Sequence, residues 1–283
     1  MKLRIATCDP LPEPDVDAEP LAAALDRAGV THSLVAWDDP HADWDAPVPT
    51  IIRSTWNYVH DVDAFLAWVA RTAAAAPLWN PPAIVRGNVF KRYLIELARR
   101  GVPVVPTTLV ERGGTIEPPR ERVVIKPEVG AGSVNTRVFE AGDREAVAHC
   151  AAITARGAAL VQPYLASVDD YGERSLVWID GELSHAIRKS PRFTGDAEIV
   201  TGPFPIAPEE REVALAALAP IADQILYGRV DLARDPSGQP VVMELELVEP
   251  SLFFAKHAPA ADRFVHALLR RLLSAGSPPS RGA

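Results

Sequence analysis

The chain has 283 residues, 48% of them apolar, and a formal net charge of −8. That length can bury a substantial core as two or three subdomains around one site, and no apolar run approaches the ~20 residues of a membrane span. The acidic balance, with no block of Lys or Arg, argues against a nucleic-acid-binding surface, and two cysteines, Cys8 and Cys150, make no disulfide framework or metal knuckle and read as core residues.

The opening MKLRIATCDP passes straight into a strand-like segment and is not a signal peptide, so the expected location is the cytoplasm. Residues 1–85 predict alternating strands and helices. Leu3–Cys8 is a buried strand, Leu21–Ala28 a helix stopped by Gly29, and His32–Trp37 the next strand. Thr50–Arg53 is a third strand, running into Ser54-Thr55-Trp56-Asn57-Tyr58 before a helix over Asp61–Thr72. Ligands bind at the carboxyl ends of strands in open α/β sheets, so Arg53, Ser54 and Thr55 are candidates to hold a small carboxylate substrate. The alternative is that Arg53 pairs with a local acid. In the linker 86–120, Asn88 is expected to cap a helix over Val89–Arg100, with Lys91 in its first turn, followed by an extended Val102–Leu109.

Residues 121–190 change character. Arg122–Lys126 is a β-branched strand, followed by the loop Gly130-Ala131-Gly132-Ser133-Val134-Asn135-Thr136 and a strand over Arg137–Glu140. Such a loop can fold its N–H groups over phosphates, with Lys126 in reach as a point charge, although no helix follows the glycines as a P-loop requires. A plain hairpin with a loose loop is the competing reading. After a helix over Glu145–Ala155, Leu160–Leu165 carries Gln162-Pro163-Tyr164-Leu165, where proline removes a donor and favours an edge or connector able to meet an adenine ring. Glu173 precedes the strand Arg174–Ile179, and a further strand ends in Arg188-Lys189.

In residues 191–275, Ser190–Gly202 reads as a flap, Glu209–Leu226 as a long amphipathic helix and Phe264–Leu273 as a closing helix. The tail 276–283 is expected to fray. Between the helices, Tyr227–Ser251 reads as two strands joined by the turn Asp235-Pro236-Ser237-Gly238. Pairing Asp235 with Gly238 sets Asp231 opposite Val242 and Arg229 opposite Glu244, with Arg229, Asp231, Glu244 and Glu246 on one face. Two like charges ~4 Å apart repel by about 4 kcal/mol at an effective dielectric near 20. A cluster of three carboxylates is therefore neutralised by a cation, for which oxygen ligands suit Mg²⁺, or else the acids face water on a half-exposed hairpin.

In this order the motifs resemble the ATP-grasp superfamily of carboxylate–amine ligases, over most of the chain. The resemblance implies an N-terminal open α/β (pre-ATP-grasp) domain and two α+β subdomains clamping ATP. Lys91 before GVPVVPT and Lys126 in VVIKPEVGAGS look like the two nucleotide lysines, the latter followed by the phosphate-covering loop with Gly130, Gly132 and Ser133. Gln162, Tyr164 and Leu165 in VQPYL resemble the adenine hinge and Glu173 the ribose-binding acid. Lys189, with Arg188 beside it, looks like a late phosphate contact, and Arg229 would stabilise the transferring phosphoryl group. RVD at Arg229–Asp231 and ELE at Glu244–Glu246 match the ending whose acids bind two Mg²⁺ ions, with Mn²⁺ able to substitute; Glu246 stands where Asn is usual and adds charge.

A narrower resemblance, in RSTWNYVHDVDAFLAWV and VVMELELVEPSLFF, is to the D-cycloserine synthetase group, which closes O-ureido-D-serine into a ring. It implies a small amino-acid-like carboxylate substrate, met by Arg53, Ser54, Thr55, Asn135 and Ser251, and a homodimer. An intermolecular ligase of glutathione-synthetase or RimK-like type, or an ATP-binding regulatory module without turnover, are the other readings.

Overall fold

The computed structural model describes residues 1–190 and 199–275. The first unit contains β1 (Lys2–Thr7), α1 (Ala18–Arg27), β2 (Thr31–Ala36), β3 (Thr50–Ile52), α2 (Val62–Ala75) and β4 (Leu78–Trp79). Its strands form a parallel sheet in the order β2-β1-β3-β4, and parallel neighbours require the helical crossovers that the sequence supplies. The Asp61 carboxylate caps α2 by accepting from the Ala64 N–H at 3.0 Å. One side of the sheet packs Trp37, Phe65 and Trp68; the other packs Leu3, Leu25 and Ile51 against the C-terminal helix.

The helix expected over Val89–Arg100 is shortened to α4 (Tyr93–Arg99), and a separate short helix, α3 (Pro82–Asn88), precedes it. The backbone between them is drawn elsewhere: Lys91 N–H donates to Glu128 O at 3.0 Å. Asn88 caps nothing. Its amide donates to Leu245 O and accepts from Leu247 N–H, both at 2.8 Å, along the edge of a strand.

A four-stranded sheet, ordered β5-β8-β6-β7, contains β5 (Thr108–Val110), β6 (Val123–Pro127), β7 (Arg137–Phe139) and, after α5 (Glu145–Thr154), β8 (Ala159–Pro163). β8 lies inside this sheet, not at its edge as Pro163 suggested, because the proline is its last residue and pairs opposite Val123. After α6 (Ser167–Asp170) come β9 (Glu173–Ile179) and β10 (Glu182–Lys189), then β11 (Val200–Phe204), α7 (Pro208–Leu218), β12 (Tyr227–Arg234), β13 (Pro240–Glu246) and α8 (Pro259–Ala275).

The strands among these form the third sheet, β11-β10-β9-β12-β13. Thus β9 and β10, grouped by sequence with the glycine-loop segment, instead pair with β12 through β9. The expected helix Glu209–Leu226 stops at Leu218, with Pro220 just beyond. Of the expected flap, residues 191–198 lie outside the described residues and 200–204 form β11; the tail 276–283 also lies outside them.

The units are tied through buried polar groups. Asn80, fully buried, donates to Tyr227 O at 2.8 Å and Leu247 O at 2.7 Å and accepts from Leu226 N–H at 2.8 Å. Asn80→Ala orphans three buried backbone groups at about 1–3 kcal/mol for each that finds no water. Chemical denaturation should show a loss of at least about 2 kcal/mol; a change under about 0.5 kcal/mol, the range of an ordinary surface substitution, contradicts the tie.

Candidate active site

In the β12–β13 hairpin, Arg229 stands opposite Glu246 and Asp231 opposite Glu244. This corrects the register expected from the turn. Gly238, whose φ of 83° lets the chain reverse, donates its N–H to Asp235 O at 2.9 Å, but Asp235 N–H donates to Gln239 O at 2.9 Å, one residue further on, and a bulge between Asp231 and Leu232 shifts the ladder again. Alternation still leaves all four charged residues on one face, and all four line one cavity of about 740 Å³.

Asp231, 1% exposed, accepts from Arg229 Nε and Nη2, both at 2.8 Å, and from Lys189 Nζ at 2.9 Å. Arg229 Nη2 also donates to Glu246 Oε1 at 2.5 Å, and Lys189 pairs with Glu173. Lys126 Nζ donates to Glu244 Oε1 at 2.6 Å; Lys91 Nζ lies 3.4 Å from Glu244 Oε2 and donates to Gly130 O at 3.0 Å. Lys91 is therefore a cavity-wall residue, not a solvated one. Burial alone would raise the Asp231 carboxyl, but the Arg229 and Lys189 charges push it well below the usual range. Burial likewise opposes ionisation of Glu244, and Lys126 and Lys91 outweigh it, holding the carboxyl at about 2. Glu173 goes the other way: burial, with the Asp231 charge beside it, pushes its carboxyl up to about 8 despite Lys189.

The glycine loop covers this floor, with Gly130, Gly132 and Ser133 lining the cavity and Gly132 and Ser133 at φ of 59° and 61°. At one end lie Gln162, Tyr164 and Leu165. The Gln162 amide donates to Thr107 Oγ1 at 2.9 Å, and Tyr164 N–H donates to Arg122 O at 2.9 Å. Trp56–His60, Ser251 and Phe253 form the other wall.

Five of the expected site residues do not line the cavity. Arg53, 2% exposed, donates to Asp17 Oδ2 and Pro250 O, both at 2.9 Å, so its charge is taken by the local acid. Ser54 is bonded to the Thr7 hydroxyl at 2.8 Å, and Thr55 is fully buried beside it. Arg188 is exposed, because the alternation that turns Lys189 inward turns its neighbour out over Gly172. Asn135 sits in the left-handed region at φ 60° and meets His149 through its carbonyl. Conversely, Tyr58 and Glu249 line the cavity and were not singled out. The signal for Glu249 was its place three residues beyond Glu246, in the acid-rich run ELELVE.

Among the described residues no three acids or imidazoles converge as a ready metal cage. The donor set is nevertheless all carboxylate oxygen, which fits Mg²⁺, an ion held by one or two carboxylates together with substrate phosphates. Four cations, Lys91, Lys126, Lys189 and Arg229, around one cavity beneath a glycine loop fit the phosphates of a nucleotide.

The comparisons agree. The chain superposes on D-alanine–D-alanine ligase from Bacillus anthracis in complex with ATP at a TM-score of 0.68, covering 97% of this chain and 98% of that one at 13% identity. With the RimK domain protein ATP-grasp from Sphaerobacter thermophilus the TM-score is 0.68 at 17% identity, over 95% and 100% of the two chains. These likenesses establish the ATP-grasp fold. The crystal structure of D-cycloserine synthetase DcsG superposes at a TM-score of 0.87 and 34% identity, covering 96% of this chain and 100% of that one. The cycloserine biosynthesis protein DcsG of Streptomyces lavendulae is 35% identical over 282 residues, 91% of this chain and 94% of its own length. Residues 3–80 match the family described as D-cycloserine synthetase DcsG, N-terminal domain. The chain belongs to the DcsG family of ATP-grasp enzymes and is an ATP-dependent ligase.

Arg229→Met leaves the buried Asp231 charge half-neutralised and should lower stability by about 3–5 kcal/mol in urea denaturation. Glu246→Gln, at a carboxylate 31% exposed, should cost about 1 kcal/mol or less. Equal losses would contradict the burial asymmetry.

Proposed function

We propose that the chain activates the carboxylate of O-ureido-D-serine as an acyl phosphate and closes a C–N bond within the same molecule, giving D-cycloserine. The observation that carries this reading is likeness to the DcsG proteins along nearly the whole chain, together with the charged hairpin that lines the cavity. ATP with Mg²⁺ supplies the phosphoryl group and neutralises its charge, as in ATP-grasp ligases generally. In this reading Gln162, Tyr164 and Leu165 meet the adenine. The Leu165 N–H is the donor there, since that of Tyr164 is engaged. Glu173 meets the ribose, and its raised pKa keeps a proton to donate.

Lys91, Lys126 and the N–H groups around Gly130, Gly132 and Ser133 hold phosphates. Asp231, Glu244 and Glu246 hold two Mg²⁺ ions, which Mn²⁺ can replace. Lys189 and Arg229 stabilise the transferring group by charge already fixed in place. Ser251 and the Trp56–His60 wall face the amino-acid end, while Arg53, Ser54 and Thr55 support that wall from behind. Making the attack intramolecular raises effective concentration and removes the need for a second substrate site. Cleavage of the ureido group falls to the same cavity, since neither cysteine lines it. The division into an N-terminal domain and two ATP-clamping subdomains is supported by the three separate sheets. A homodimer is supported by the edge strand β2, with Leu34 53% exposed, and a cytoplasmic location by two buried free thiols.

With ATP, Mg²⁺ and O-ureido-D-serine alone, the enzyme should release phosphate and D-cycloserine. An absolute need for a second amine overturns the cyclising reading in favour of an intermolecular ligase. Glu244→Gln should lower kcat by about 10²-fold or more, the scale of losing a charge-stabilising group, with an unchanged circular dichroism spectrum; wild-type turnover would refute its metal-binding role.

A further inference from the structure

Glu249 differs from the acids of the charged floor. Asp231, Glu244 and Glu246 are each held in an ion pair and Glu173 lies against Lys189, whereas Glu249 forms no ion pair within 4 Å among the described residues. It stands in the cavity wall where the charged hairpin meets the amino-acid end. There its side chain is hydrogen-bonded to that of Tyr58, and Trp56 Nε1 donates to its backbone carbonyl at 3.3 Å. Tyr58 is 4% exposed and stacked on Phe65, at 4.7 Å between ring centroids, so the hydroxyl that holds the carboxyl is itself fixed. The charged groups facing Glu249 are Glu246 and Lys91, one on each side of the hairpin–helix seam.

We propose that Glu249 is the general base of ring closure, taking the proton from the nitrogen that attacks the acyl phosphate. The inference rests on the cyclo-ligase reading. In the step, the oxygen-bound nitrogen forms a bond to the acyl carbon, and the carbon–oxygen bond to phosphate breaks with its electron pair leaving on phosphate. The N–H proton passes to the Glu249 carboxylate and then to solvent, leaving a ring nitrogen that still bears the carbamoyl group. Water then adds to that carbonyl, the nitrogen–carbonyl bond breaks with its electron pair and a proton going to the ring nitrogen, and the carbamate released falls to ammonia and carbon dioxide. Three features suit the residue to this task. Among the described residues its carboxylate is free of ion pairs, its position is fixed by Tyr58, and it lies between the charged floor and the amino-acid wall. Burial, followed by the neighbouring Glu246 charge, pushes its pKa up to about 8, against Lys91 and the Tyr58 hydrogen bond. A carboxylate that holds its proton that tightly is a far stronger base than an exposed one.

The test uses the full-length enzyme with ATP, Mg²⁺ and O-ureido-D-serine, following D-cycloserine directly and trapping the acyl phosphate as its hydroxamate with hydroxylamine. Wild-type ring closure should rise with pH through about 8, as the carboxyl ionises. E249Q should lower D-cycloserine formation about 10²–10³-fold and flatten that rise, while hydroxamate and ADP still form. Y58F removes a hydrogen bond that favours the ionised carboxyl, so it should move the rise to higher pH; this variant decides the matter if E249Q does not fold. The proposal is overturned if E249Q closes the ring at the wild-type rate, if it loses ring closure and hydroxamate together while folded, or if Y58F leaves the pH profile in place. A wild-type enzyme that makes ADP but no D-cycloserine overturns the underlying reading, and the proposal with it.

Discussion

The buried Asp231 carboxylate, gripped by Arg229 and Lys189, is the constraint on which the other arrangements depend. An ion removed from water incurs several kcal/mol of desolvation, recovered only when partners meet it at close range from several sides. One hairpin cannot provide that. Arg229 comes from the same strand, two residues away, and Lys189 from the end of β10, two strands across the sheet. Strands β10, β9 and β12 therefore have to be assembled before the charge is tolerated. Lys126 and Lys91 extend the same principle outward, reaching Glu244 from the small sheet and from the segment between α3 and α4. The active-site floor thus joins separate units of the chain.

The balance of that cluster has a chemical consequence. Four cations, Lys91, Lys126, Lys189 and Arg229, face Asp231, Glu244, Glu246 and Glu173, and Glu173 holds its proton to about pH 8. The four cations stand where, in our reading, the phosphates lie, each already held against a carboxylate. Phosphates arriving with Mg²⁺ then allow lysines and carboxylates to exchange partners without leaving an isolated charge.

Much of this was legible in the sequence because it is local. Period-two alternation put Arg229, Asp231, Glu244 and Glu246 on one face whatever the register, so the charged face survived an incorrect pairing. The bulge beyond Asp231 and the Gln239 closure were not legible, since they depend on how the whole ladder settles. The partners of Lys91, Gly130 and Glu244, were not legible because they lie 39 and 153 positions away in the chain. Arg53 looked available for a ligand because its partner is Asp17, an acid placed against it only by the folding of the loop before α1. Arg188 was assigned by proximity to Lys189, although alternation along a strand should have separated them. Glu249 was missed because its meaning comes from Tyr58, across the seam between two units.

The most direct test of the central claim is anomalous diffraction from crystals grown with Mn²⁺ and a non-hydrolysable ATP analogue. Manganese peaks should lie between the phosphates and the carboxylates of Asp231, Glu244 and Glu246, with Lys126 and Lys189 turned onto phosphate oxygens. A bound nucleotide that leaves the Lys126–Glu244 and Lys189–Asp231 pairs unbroken, with manganese elsewhere, would contradict it.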